Sequence, residues 1–227
     1  MRKAAFVFLC AVLLFSGRAL AQTDTSAGVA LDQPWKAKVY ELARTTFRHP
    51  AWGWQHGERN YLLALQLASG DGLSVDTDVL FAACMLHDMS AFPPYQNVGE
   101  HGDVAAVESE KILRDAGFPM EKFARVARAM RAHMYYSPVG SDPESIVLHD
   151  ADSLDFLGAI GTVRIIALTG VSAENADKAI IQLRKFLKDI PPKIITRTGK
   201  IIAEQRAAEL RSFLNAYLAE SFGQKLP

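Results

Sequence analysis

Six histidines are spread over 227 residues, and their placement beside acids and at helix ends is what could do chemistry. His87-Asp88 closes the very apolar run Val79–Leu86. An imidazole and a carboxylate buried there are costly unless a metal ion or another partner satisfies them. Neighbours on a helix point about 100° apart, so both reach one ion only near the helix end or between helices. A carboxylate has two oxygens and could also bridge two ions. A second acidic group, Asp150-Ala151-Asp152-Ser153-Leu154-Asp155, precedes the apolar Phe156–Gly161. Three carboxylates at the entrance of a buried helix repel one another, and a cation would relieve that repulsion. The plainer alternative is that they favour the positive end of the helix dipole. His56, in Trp54-Gln55-His56-Gly57-Glu58-Arg59, says little by itself.

The elements that must position these groups are helices almost throughout. Pro34 opens a segment to about Phe47, which His49-Pro50 breaks because a residue before proline leaves the α region. A second helix is expected from Trp54 to Ala68, stopped by Ser69-Gly70-Asp71-Gly72. Ser74 can cap a third that leads to His87-Asp88 and ends before Pro93-Pro94. Amphipathic segments follow over Gly99–Ala116 and Pro119–Met134. Asp142-Pro143, a cap and a first-turn proline, opens a short helix towards Leu148. An apolar segment covers Ala151–Leu168, and Ser172 can cap another to about Lys188. The last helix, Gly199–Ser221, aligns Leu210, Phe213, Leu214, Tyr217 and Leu218 on one face. No alternating strand pattern, repeat or internal linker is evident. The expectation is one all-α domain over residues 34–227.

Residues 1–21 read as a cleavable signal peptide: a basic start, the apolar run Ala4–Phe15, and Ala19-Leu20-Ala21 before Gln22. That run is too short to span a bilayer. Export to the bacterial periplasm or beyond follows, with residues 22–33 as a polar leader and no membrane span in the mature chain. Cleavage removes Arg2, Lys3 and Arg18 but no acid, so the formal charge moves from zero to −3. Such a chain lacks the basic balance of a nucleic-acid-binding protein and the basic patch of a membrane-surface one. Only Cys84 remains after cleavage, so no intrachain disulfide forms; within Phe81–Leu86 it reads as an inert buried thiol.

Taken in order, His56, then His87-Asp88, then an acid of the Asp150–Asp155 group resemble the HD-domain metal-dependent phosphohydrolases. Trp54-x-His56-x-x-Arg59 is similar to that family's first-histidine helix. Ile146-Val147-Leu148-His149-Asp150-Ala151-Asp152 through Gly161 is similar to a central block of one bacterial branch, and Thr198–Arg206 to its closing helix. The resemblance implies an all-helical bundle with the metal between helices, held by His56, His87, Asp88 and Asp152. It prefers Asp152 over Asp150 as ligand, with Asp150 beside the substrate, and leaves His149 incidental. His101 and His133 fall where some members hold a second metal, and His133 also fits a single-metal branch in which it lines the site. The family's His-Asp pair ahead of the first ligand is replaced here by Ala51-Trp52-Gly53-Trp54, and His49 lies far upstream.

The implied chemistry is hydrolysis of a small phosphorylated compound by metal-activated water. Asp150 or His133 would serve as general acid or base, and Arg59, with Lys200 behind it, would bind phosphate. Mixed imidazole and carboxylate donors suit Mn, Fe or Zn, as one or two ions. Two rival readings follow from the same residues: a dinuclear-iron oxygenase that needs His101 and His133, and a non-catalytic exported protein that sequesters metal or ligand.

Overall fold

Helix-starting and helix-stopping residues account for most of the architecture. In a computed structural model, residues 23–170 and 176–222 are described. The signal peptide and the Ser172 cap lie outside these residues. Helix α1 is Pro34–Thr46, with proline in its first turn. Helix α2 is Trp54–Asp71, and α3 is Thr77–Leu86. Helix α4 is His101–Ala116, α5 is Phe123–Ala132, α6 is Pro143–Leu154 and α7 is Gly158–Ala167. Helix α8 is Ala176–Asp189 and α9 is Arg197–Glu220. Among the described residues there is no strand; the one β-bridge, Asp24 to Ala30, folds the leader back on itself. Buried Glu58 holds that turn through the Ser26 hydroxyl at 2.5 Å and the Ala27 amide at 3.1 Å. No single described helix is long and apolar enough to cross a membrane.

Helix α3 sits at the centre. Every residue from Val79 to Leu86 is buried, with α1, α2, α5 and α6 packed around it. Each large side chain so buried contributes about 1.5–3 kcal/mol, which is what holds a polar His-Asp pair at the inner end of this helix. Helix α4 lies on α5 and α1, while α7, α8 and α9 form a further layer, with α9 reaching back to α2 and α6. One hydrophobic core runs from Trp35 to Leu214.

Three expected boundaries move. The α3 cap is Asp76, whose carboxylate accepts from the Asp78 and Val79 amides, and not Ser74. The segment expected over Pro119–Met134 divides into a short 3-10 turn, Met120–Lys122, and α5. The third change bears on the site. Helix α6 continues through Leu154, so the acidic group occupies its last turns, and the chain then bends by 69° into α7. Asp155 is the C-cap of α6. It therefore lies at the negative end of the dipole, where a carboxylate is disfavoured. The helix-dipole account of these acids fails, and their partners must be sought elsewhere.

Candidate metal centre

Each of the four innermost helices delivers one part of the centre. His56 is in the first turn of α2, His87 is the residue capping α3, His133 caps α5, and Asp152 projects from α6. Asp88 follows His87 in the turn after α3, and His101 opens α4. His56 Nε2 lies 2.9 Å from Asp152 Oδ1, 3.3 Å from His87 Nε2 and 3.6 Å from Asp88 Oδ2. His87 Nε2 is 3.4 Å from Asp88 Oδ2 and 3.7 Å from Asp152 Oδ1. Donor atoms about 3.0–3.4 Å apart are what a shared ion with bonds of about 2.1 Å requires. Asp88 turns its other oxygen outwards, 3.8 Å from His133 Nε2, and His133 Nε2 is 3.0 Å from His101 Nε2. His56, His87 and Asp152 form one candidate ligand group, and His87, Asp88 and His133 another.

The tautomers decide what these nitrogens can do. His56 Nδ1 donates to Asp155 Oδ2 at 2.7 Å, and His87 Nδ1 to the Cys84 carbonyl at 2.9 Å. His133 Nδ1 donates to the Met130 carbonyl, and His101 Nδ1 to Glu100 at 2.8 Å. The Cys84 and Met130 carbonyls are among the last-turn acceptors that a helix cannot satisfy itself. With Nδ1 turned to an acceptor in each ring, all four Nε2 atoms point inwards. Where two of them meet at 3.0–3.3 Å, either a proton or a metal cation must stand between their lone pairs. This Nδ1-to-acceptor pattern is the one that orients metal-bound imidazoles. The residues present fit a divalent ion.

Two glycines make the convergence possible. A Cβ on Gly57 would stand 2.7 Å from the Cys84 carbonyl oxygen, and one on Gly102 would stand 2.8 Å from the Met130 oxygen. Each follows a site histidine, His56 or His101, and each lets its helix approach the carbonyl that orients the opposing histidine.

Charge is unevenly shared. Burial opposes a proton on His87, but Asp88 and Asp152 outweigh it and push its pKa up to about 10. Burial pushes His133 down to about 4, and His87 adds to that effect. Burial likewise opposes ionisation of Asp88 and Asp152, yet His87 beside Asp88 and His56 beside Asp152 hold both carboxyls below the usual range.

Asp155 provides a second layer. Arg59 reaches it at 2.9–3.2 Å and Arg164 at 3.0 Å, and burial's cost is outweighed by His56 and these guanidinium groups, keeping the carboxyl ionised. Arg164 is 2% exposed and also donates to the Asp155 and Ala51 carbonyls. Buried Asn60, one turn beyond His56, donates to Asp152 at 3.3 Å.

Two expected roles do not survive this geometry. Asp150 is fully buried and faces away from the cluster, accepting from the Ile195 and Thr196 amides, the Thr196 hydroxyl and His149. It fastens the start of α9 and has no reach to a proton at the metal. Arg59 is bound in two-pronged fashion to Asp155, so its guanidinium orients a ligand's partner instead of a phosphate. Lys200 is exposed on α9 and takes no part in the cluster. Asn60, Arg164 and the functional use of Asp155 escaped sequence reasoning. A lone arginine inside the apolar Gly158–Leu168 run was the available signal, since a buried guanidinium needs an acid.

Residues 53–157 match the family model of the HD domain. Over that span the chain is similar to HD domains. HD domains are all-α and bind divalent metals, and the matched span runs from the start of α2 to just beyond α6, enclosing all six donors. The chain is similar in structure to Bacillus subtilis YpgQ in complex with ADP (19% identity, TM-score 0.63), covering 82% of this chain and 97% of that one. It is also similar to a predicted HD superfamily hydrolase from an uncultured Thermotogales bacterium (23%, TM-score 0.57; 80% and 90%). A third similar structure is an HD-superfamily hydrolase from Bacillus thuringiensis (22%, TM-score 0.55; 75% and 87%). At these identities the likeness concerns the fold. No curated protein sequence matches the chain.

A cleft of about 790 Å³ opens on the candidate centre, with Asp88 and His101 in its wall.

Proposed function

We propose that this protein is a metal-dependent hydrolase of phosphate esters, exported when residues 1–21 are removed. The observation that carries the reading is the set of four imidazoles, each held at Nδ1, whose Nε2 atoms converge with Asp88 and Asp152 at the end of a cleft. His56, His87, Asp88 and Asp152 would hold one ion, and Asp88, His133 and His101 a second. A divalent ion, when bound, lowers the pKa of a coordinated water from about 16 towards about 7 and neutralises charge on a phosphoryl oxygen. Asp88 offers one oxygen to each half of the centre, and so keeps the two halves in register. Asp155, braced by Arg59 and Arg164, holds the His56 proton at Nδ1. His101, 34% exposed at its side chain, stands where the cleft admits substrate. The donor set suits Mn, Fe or Zn.

Support comes from the match to the HD-domain model and from similar structures described as hydrolases. Purified mature protein loaded in turn with Mn, Fe and Zn is expected to hydrolyse p-nitrophenyl phosphate or another phosphate ester. Absence of turnover with all three at full occupancy would overturn the reading. The closeness of His101 to His133 supports a second one, a dinuclear-iron oxygenase, which predicts oxygen uptake by the iron-loaded protein and none by the zinc-loaded one.

A further inference from the structure

The cleft is far larger than a metal-bound phosphate needs. At about 790 Å³ it falls within the 300–1,000 Å³ of cavities that enclose drug-sized ligands. Its walls are mainly Trp52, Phe156, Ile165, Leu168, Ile181 and Phe186. Phe156 and Phe186 pack at 4.7 Å between centroids. His49 stacks on Trp52 at 4.2 Å and 13° between planes, extending the indole into a broad flat wall. Its Nδ1 accepts from the Ala51 and Trp52 amides at 3.2 and 3.4 Å, which makes the ring a neutral tautomer. Arg164 lies behind Phe156, 4.3 Å from its ring, with its Nε and Nη1 engaged by Asp155 and by carbonyls. Among the described residues that line the cleft there is one lysine, Lys178, and no arginine. A nucleoside di- or triphosphate brings several anionic groups that forked guanidinium donors usually bind; this mainly apolar wall suits an apolar group better.

Resting on the phosphohydrolase reading, we propose that the substrate is a phosphate monoester of an apolar alcohol, whose alkyl or aryl group fills this cleft while the phosphoryl group meets Asp88 and His101. Water adds to phosphorus, the P–O bond to the alcohol breaks, and the alcohol leaves with a proton.

Two series measured on the zinc-loaded mature protein test this. For n-alkyl phosphates from methyl to octyl, kcat/KM is expected to rise about fourfold per methylene until the cleft is full. For the corresponding alkylphosphonates, which have no ester bond to hydrolyse, Kd is expected to fall with the same slope. Ile181→Glu places a charge on the wall at a position that is 43% exposed, so the fold tolerates it; the octyl-to-methyl ratio should drop about tenfold or more in both series. Chain-length independence in both series overturns the proposal. A slope in phosphonate binding without hydrolysis of any ester sinks the hydrolase reading and leaves the cleft assignment standing. Hydrolysis that favours nucleotides over octyl phosphate does the reverse.

Discussion

The two halves of the centre are built to the same plan and finished differently. In the inner half, α2 begins with His56-Gly57 and meets His87 at the end of α3, 31 residues on; in the outer half, α4 begins with His101-Gly102 and meets His133 at the end of α5, 32 residues on. In both, a glycine lets one helix approach a last-turn carbonyl, and that carbonyl aims the opposing imidazole. The inner half then adds Asp152, Asn60, and Asp155 between two arginines, all but Arg59 deeply buried. The outer half has Glu100, 43% exposed at its side chain, and the cleft. The contrast teaches that one helix-pair geometry yields a rigid ion seat where it is backed by a polar layer, and an accessible face where it is not. Asp88, with an oxygen towards each, is the hinge of the comparison.

Removing that hinge should have the largest effect. Asp88→Ala is expected to reduce bound metal to background by elemental analysis while helix content by circular dichroism stays unchanged; loss of folding would make the residue structural. Next come the paired glycines. Gly57→Ala forces a Cβ against the Cys84 carbonyl and should destabilise the protein by about 1–3 kcal/mol and deplete all metal. Gly102→Ala should strip the outer ion first, halving the metal content of a two-ion protein. Equal depletion by both would erase the distinction drawn between the halves.

Smaller effects separate the backing layers. Asp155→Asn removes the charge behind His56 and between two arginines, and should weaken metal affinity about 10–100-fold in a chelator competition. Glu100→Gln, more exposed, should change it less than about threefold.

Protons should discriminate the halves as well. His87 has its pKa raised in the metal-free fold, so its stabilising contribution is present below about 6.5 and lost as pH rises through about 10. His133 is shifted the other way, to about 4, so its contribution is present above about 6.5 and lost as pH falls towards 4. Metal-free protein should therefore lose Tm on both sides of neutrality, and His87→Gln should abolish the alkaline loss while reducing the acid one, since His87 contributes to the His133 shift.

Much of this was legible in the sequence, for identifiable reasons. Helix caps and glycines are local signals, so α1, α2, α4 and α9 start or stop within a few residues of expectation. The His-Asp pair at the end of an apolar run announced itself by its cost. The misplaced end of α6 has a physical cause: apolar content continues through the bend at Asp155–Leu157, so hydrophobicity gave no sign that a helix ended there. Asp150 was expected beside the substrate on the family resemblance, and α6 separates it from Asp152 because residues two apart on a helix face away from one another. No repeat is visible in the sequence either. The likeness of the two helix pairs lies in where a histidine and a glycine sit, and the rest of each pair serves different neighbours.

The last turns of α6 connect three parts of the molecule within six residues: Asp150 to the start of α9, Asp152 to the ligand cluster, and Asp155 to the arginines of α2 and α7. Inserting or deleting one residue between Val147 and Asp150 would rotate everything after it by about 100° about the helix axis. All three connections would break together. Length variation should therefore be tolerated in the loops on either side of α6 and be nearly lethal within it, which makes this short stretch the register mark of the whole domain.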